Sequence, residues 1–210
     1  AIGDVIIIKP DSINIFSDSL YYDGDQKIAE LFYEVVLENA DKQLFTEHLL
    51  YDMNTEVATF KDTAILRKNT MRLSSIEGLY DMQQKMAFFY KDVTIVDEDF
   101  TLSSDSLKYD IDIDRAYFIG PSYITQGERK IYCESGYYDV DIGRAHFSKN
   151  AIIRKKDQTA SAESILYSEQ DSTVTFTGKA EIIDSSSVTR GDIIEINDKT
   201  GDINIRGNAY

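Results

Sequence analysis

The chain has 210 residues, with 37 Asp and Glu against 22 Lys and Arg and a net charge of −15. Proteins that hold nucleic acid neutralise its phosphates with a basic surface, so this balance argues against that partner, and equally against docking on an anionic membrane by charge. The single cysteine, Cys133, excludes an internal disulfide, and the longest apolar run, Met86 to Tyr90, falls far short of a membrane span.

At the start, Ala1-Ile2-Gly3-Asp4 lacks the basic residues and apolar core of a secretory leader, so the numbering is expected to begin in a mature or trimmed chain. Val5-Ile6-Ile7-Ile8-Lys9 is predicted to be a strand. Residues 27 to 50 mix Ala, Leu, Glu and Lys in a way that local propensity would make helical. A longer-range pattern overrules that propensity. Tyr-Asp pairs stand at Tyr22-Asp23, Tyr51-Asp52, Tyr80-Asp81, Tyr109-Asp110 and Tyr138-Asp139, and the same step of 29 residues leads on to Tyr167-Ser168 and Ile196-Asn197. A fixed period without insertions is the mark of stacked repeats.

With the Tyr as position zero, position seven carries Ala29, Ala58, Ala87, Ala116, Ala145, Val174 and Ile203. Position nine carries Leu31, Phe60, Phe89, Phe118, Phe147, Phe176 and Ile205. Position fifteen carries Leu37, Leu66, Ile95, Ile124, Ile153 and Ile182, and position twenty-two carries Leu44, Leu73, Leu102 and Ile131, fading to Ala160 and Thr189. Seven, nine and fifteen share a parity, so on one strand they face the same way. Polar, turn-prone stretches such as Met53-Asn54-Thr55-Glu56 and Lys68-Asn69-Thr70 separate the apolar runs. Each repeat therefore reads as two strands of an antiparallel meander, including the stretch from 27 to 50.

The strands are predicted to bend. Position eleven is Gly120, Gly178 and Gly207 in three repeats, where a strand can kink freely. On the returning strand, inward parity switches between the small residue at position twenty-four (Thr46, Ser75, Ser104, Cys133, Ala162, Gly191) and the next Tyr, as a corner bulge would require. The fold class that follows is all-β, an antiparallel meander of bent strands forming an elongated β-jelly roll of 29-residue repeats. No linker interrupts the period, so residues 1–210 read as one domain. The last stretch, Ile203 to Tyr210, begins a strand and stops, and the natural chain is expected to continue.

No catalytic constellation, metal site or cofactor motif emerges. His48 and His146 are the only histidines; His146, at position eight, reads as an outward strand residue, and Cys133 as a small buried one. The Asp ladder (Asp23, Asp52, Asp81, Asp110, Asp139) places one carboxylate per repeat at a strand end, which suits turn capping better than metal binding. Val96-Asp97-Glu98-Asp99 reads as a solvated turn. The inward apolar stripe admits two interpretations, a closed core or a trough open along one edge. A trough of that shape suits a long acyl chain, since apolar burial contributes roughly 25 cal/mol per Å² without directional contacts. The terminal strands, near Asp4–Lys9 and Asn204–Tyr210, lack the Pro or dense charge that blunts an edge, so head-to-tail association by β-augmentation is expected.

Asp105-Ser106-Leu107-Lys108-Tyr109-Asp110 followed by Ala116-Tyr117-Phe118-Ile119-Gly120 resembles the repeat of the OstA-like (LptA-like) family of periplasmic lipopolysaccharide-transport proteins. Phe176-Thr177-Gly178-Lys179-Ala180-Glu181-Ile182 and Ile205-Arg206-Gly207-Asn208-Ala209 match its second half, and the resemblance spans about Ile13 to Tyr210. It implies a periplasmic carrier that holds lipopolysaccharide, or a similar amphiphile, by its acyl chains and forms part of a bridge to the outer membrane. Related jelly rolls, or further copies of the chain, would be its head-to-tail partners. By position, the implied acyl-lining residues are Ala58, Phe60, Leu66, Leu73, Ala87, Phe89, Ile95, Leu102, Ala116, Phe118, Ile124, Ile131, Ala145, Phe147 and Ile153. The acidic surface leads to the expectation that lipid phosphates stay in solvent or are bridged by divalent cations. The alternatives are a Tyr-Asp-repeat shell protein, whose units typically carry Gly-Arg as only Gly143-Arg144 does here, and a plain adhesive β-array.

Overall fold

The structure, a computed structural model, describes residues 1–9, 13–98 and 100–209; Asp99 of the acidic turn and Tyr210 of the predicted last strand lie outside the described residues. Two compact units divide the chain, Ala1–Glu98 and Asp99–Tyr210. Both are antiparallel meanders of bent strands, as the repeat register requires.

In the first unit, β1 (Ile2–Ile8) pairs with β2 (Ile13–Asp23), and the meander continues through β3 (Ile28–Asn39) and β4 (Lys42–Asp52). Residues 27–50 are thus strand, and tertiary pairing has overridden their helical propensity. The two-layer construction is plainest in the next repeat, where the bend becomes a break. There β5 (Val57–Phe60) and β6 (Ala64–Lys68) pair with opposite halves of β4, through Tyr51↔Ala58 and Leu44↔Leu66. β7 (Met71–Ser75) follows β6, β8 (Glu77–Asp81) follows β5, and both pair with β9 (Met86–Asp97).

The second unit runs through β10 (Phe100–Asp110), β11 (Arg115–Gln126), β12 (Arg129–Asp139), β13 (Arg144–Lys155), β14 (Gln158–Ser168), β15 (Thr173–Ile183), β16 (Val188–Asn197) and β17 (Ile203–Arg206). Its register brings the sequence positions into rows. One layer aligns Leu102, Ile124, Ile131, Ile153, Ala160 and Ile182. The other aligns Leu107, Phe118, Gly136, Phe147, Ile165, Phe176, Ile194 and Ile205. Each ladder slips where the strand crosses between layers, for example Ile119/Ser122, Tyr132/Ser135 and Ser148/Ala151.

The corner is made by left-handed backbone. Position eleven has positive φ at Gly120 and Gly178, as glycine permits, but also at Tyr33, Lys91 and Lys149, with Glu34, Asp92 and Asn150 beside them. The sequence singled out the glycines, yet the bend occurs without them. Non-glycine residues there cost about 1–2 kcal/mol each, which packing of the two layers must offset. Position five is left-handed in every repeat: Lys27, Glu56, Lys85, Asp114, Gly143, Ser172 and Gly201. It closes the Tyr-Asp turn, whose Asp accepts hydrogen bonds from the following backbone, as in Asp25 N and Gln26 N to Asp23 Oδ1, both 3.0 Å. Successive turns then bond to one another. Met53 N donates to Lys27 O at 3.0 Å and Met82 N to Glu56 O at 3.1 Å in the first unit, and Val140 N to Asp114 O and Glu169 N to Gly143 O, both 3.0 Å, in the second.

Glycine also shapes the core. Gly78 lies in register between Phe60 and Phe89, whose ring centroids are 6.1 Å apart, and Gly136 lies between Phe118 and Phe147, 6.3 Å apart. A Cβ at Gly136 would collide with the His146 carbonyl oxygen and press on the Phe118 ring, whereas one at Gly24 meets only ordinary contact. Gly136→Ala is therefore expected to cost about 1–3 kcal/mol in denaturant unfolding, and Gly24→Ala less than about 0.5 kcal/mol. Lys149→Gly should relieve strain and raise the thermal midpoint by about 2–4 °C. A neutral Gly136→Ala together with a destabilising Lys149→Gly would contradict this account of the corner and core.

Candidate functional site

Every acyl-lining residue that the resemblance implies is buried. In the first unit these are Ala58, Phe60, Leu66, Leu73, Ala87, Phe89 and Ile95; in the second, Leu102, Ala116, Phe118, Ile124, Ile131, Ala145, Phe147 and Ile153. The extrapolated stripe ends at β17, where Ile203 and Ile205 are 53% and 38% exposed. Two further inward rows escaped the sequence pattern. Position thirteen holds Val35, Ala64, Val93, Ser122, Ala151 and Ala180, and position twenty-seven holds Leu49, Gly78, Leu107, Gly136, Ile165 and Ile194. Their residues vary in size, so only their parity relative to the corner could have revealed them.

Two spaces open along the described interior. In the first unit it leaves a void of about 20 Å³ walled by Leu37, Leu44, Phe60, Leu66, Ala87 and Phe89, with Asn39, Lys42 and Tyr80 at its polar end. In the second unit it opens into a cleft of about 220 Å³. The floor of that cleft is the stripe itself, Ile153, Ala160, Val174 and Phe176 with Ile196, and its rim is Arg129, Lys155, Gln158, Asn197 and Asp198. The cleft is smaller than the ~300–1,000 Å³ of typical ligand pockets.

Opposite the corner, the two layers meet at a mouth bordered by the Tyr-Asp turns on one side and the shorter turns on the other. Polar side chains bridge it. In the first unit Asn39 Nδ2 donates to the Tyr80 hydroxyl at 2.6 Å, and in the second Gln126 Nε2 donates to the Tyr167 hydroxyl at 3.2 Å. Lys9 Nζ lies 2.9 Å from Glu56 and over the Tyr51 ring at 5.5 Å. Burial works against the Lys9 charge, but the Tyr51 hydroxyl and the Glu56 carboxylate outweigh it and raise its pKa. Arg129 pairs with Asp198 across the second unit's mouth. At Tyr80 and Tyr167 the repeated Tyr thus does more than mark the turn, since its hydroxyl reaches the facing layer, whereas the Tyr109 hydroxyl donates to Asp114 of its own turn.

The remaining polar candidates take structural roles. Burial pushes the Cys133 thiol up to about 12, so it carries no thiolate at neutral pH. His146 lies half-buried on the outer face, hydrogen-bonded to Ser164 Oγ at 2.8 Å, and burial lowers its pKa. His48 stacks on Phe32 and meets Glu30 Oε1 at 2.9 Å. Asp52, Asp81 and Asp110 cap their turns as Asp23 does, while Asp139 instead binds the Arg115 guanidinium. Among the described residues no cluster of three or more His, Cys, Asp or Glu is arranged to hold a metal ion.

Residues 1–105 match the family model described as OstA-like protein. Residues 75–202 match that of the LptA/(LptD N-terminal domain) LPS transport protein. Among solved structures, the chain is similar to LptH from Pseudomonas aeruginosa, the LptA homologous periplasmic component of the conserved lipopolysaccharide transport device. The likeness has 19% identity and a TM-score of 0.43, covering 48% of this chain and 77% of that one. No curated protein matches.

Inside and outside can be tested on neighbouring residues. Phe118 is buried, whereas Tyr117 lies on the outer face, where Lys108 Nζ stands 4.5 Å from its ring. Phe118→Asp is expected to cost at least about 4 kcal/mol and abolish the cooperative transition or lower its midpoint sharply. Tyr117→Asp should cost about 1 kcal/mol or less. Equal losses in matched denaturation curves would show that the stripe does not face the interior.

Proposed function

Because the chain belongs to the family of OstA-like and LptA/LptD N-terminal lipopolysaccharide-transport proteins, we propose that it is a periplasmic carrier that holds lipopolysaccharide by its acyl chains between the two layers. The observation that carries this is the cleft of the second unit, where the apolar stripe surfaces under a polar rim. An amphiphile needs that order of apolar floor and polar lip. A shell or adhesive array needs neither. A chain would enter by parting the layers at the mouth, where side-chain hydrogen bonds and ion pairs such as Asn39–Tyr80 and Arg129–Asp198 join them, whereas the corner is continuous backbone.

The terminal strands supply the partners of this reading. β17 ends the second unit's ladder with Ile203 and Ile205 uncovered, and β1 presents Ile2, Ile6 and Ile8 to solvent. Adding a strand from a related jelly roll, or from another copy, would continue both the ladder and the apolar stripe. Such head-to-tail joining gives the acyl chains a path toward the outer membrane without exposure to water.

A photo-crosslinking side chain at Ile196, on the cleft floor, is expected to capture lipopolysaccharide from micelles, and one at Thr175, on the outer face, is not. Equal capture at both sites, or none at Ile196, would remove the carrier assignment. For the partner, light scattering over a concentration series should show growing assemblies that Ile7→Pro in β1 suppresses. A strictly monomeric protein would rule out self-association.

A further inference from the structure

Two pairs of basic side chains sit where a strongly acidic chain has least reason to put them. In the first unit Lys42 and Lys68 stand side by side at the inner rim, one step beyond the Gln43↔Arg67 register. Their side chains are only 7% and 3% exposed. Both ammonium groups approach the Asp41 carboxylate, at 2.9 and 3.8 Å, while Asp41 itself, on the turn between β3 and β4, is 52% exposed. The hydrogen bond from Lys42 holds the Asp41 carboxyl below its usual range. Lys42 also walls the apolar void, together with Phe60, Leu66 and Phe89.

The same two slots recur three periods of 29 residues further on, as Arg129 and Lys155 in the second unit. These are direct register partners on β12 and β13. Both line the 220 Å³ cleft above Ile153 and Phe176. Arg129 is again neutralised by a turn carboxylate, Asp198, whose side chain is 25% exposed. In the intervening repeats these slots hold Met71 and Asp97, then Phe100 and Gln126. The basic pair is therefore not a property of every repeat. It appears once in each compact unit, beside the apolar void in the first and beside the cleft in the second.

Cations at the edge of an apolar space are costly to desolvate, and this chain offers abundant solvent-facing positions for them. A phosphate monoester carries more charge and more acceptor oxygens than one carboxylate, and so can engage both cations of a pair at once. We propose that the Lys42/Lys68 and Arg129/Lys155 pairs are sites for a lipid-borne phosphate, which displaces Asp41 or Asp198 as acyl chains enter beneath. This rests on the carrier reading and adds to it the place of the head group, at the rim rather than free in solvent.

The test uses the intact protein and two probes in detergent: bisphosphorylated lipid A, and the same lipid A after enzymatic removal of its phosphates. Lys42→Met with Lys68→Met, and Arg129→Met with Lys155→Met, keep the apolar stems and remove the charges. Each double variant should bind the bisphosphorylated lipid about tenfold or more weakly and the dephosphorylated one unchanged. Asp41→Asn, which keeps both lysines and weakens their competitor, should bind the bisphosphorylated lipid more tightly. Equal loss for both lipids, or no loss for either, overturns the proposal, as does an Asp41→Asn variant with unaltered affinity should the double variants fail to fold. Inorganic phosphate binding as tightly as the lipid would make these free-phosphate sites and overturn the lipid assignment. A wild-type protein that binds neither lipid would instead overturn the carrier reading.

Discussion

One backbone requirement governs this fold: each strand must double over near its middle, so that its two halves line opposite walls of one interior. Left-handed residues at position eleven and the ladder slip beside them accomplish this. The strain is met with glycine at Gly120 and Gly178, but with ordinary side chains at Tyr33, Lys91 and Lys149. What offsets it is burial. Fully burying a Phe or Leu contributes about 1.5–3 kcal/mol, and each bent strand places several such residues inside at once. Where the bend goes furthest, the strand parts into β5 and β6, which pair with opposite halves of β4.

The period made most of this legible. Because side chains alternate along a strand, a row such as Phe60, Phe89, Phe118 and Phe147 could be placed inside without any structure. The row at position thirteen keeps the parity of seven, nine and fifteen and was hidden by its varied, mostly small residues, whereas the row at twenty-seven was hidden because the returning strand's corner resets the parity. Gly78 and Gly136 are the clearest case: each looks like a gap in an apolar row, yet each makes room for the two Phe rings that flank it. The rim was hidden for another reason. Lys42, Lys68, Arg129 and Lys155 fall in stretches that composition marks as polar turn, and nothing in a 29-residue frame signals a feature that returns only every third repeat.

The interior and the surface obey different electrostatics. Acidic residues outnumber basic ones on this chain, 37 to 22, and their charges repel one another. Cations that line the mouth sit against apolar walls, where screening is weaker and a single ion pair counts for more. For the proposed carrier, a mouth bridged by the Asn39–Tyr80 and Gln126–Tyr167 hydrogen bonds would let cargo be both held and released. Hydrogen bonds of this kind are exchanged readily for bonds to water or to a polar head group.

The turn-to-turn hydrogen bonds carry a consequence for how such a chain can change length. Each rung joins position two of one repeat to position five of the repeat before it, through backbone atoms alone. Side-chain substitution leaves the rungs intact, but inserting or deleting one residue in a turn would misalign the rung on either side and flip the parity of the strand that follows. Growth and shortening are thereby quantised. A duplication or excision of one whole repeat joins equivalent points of the backbone and preserves every rung, whereas anything smaller does not. The length of the apolar interior is consequently a count of repeats, changed by whole-repeat duplication or excision rather than by drift of individual residues.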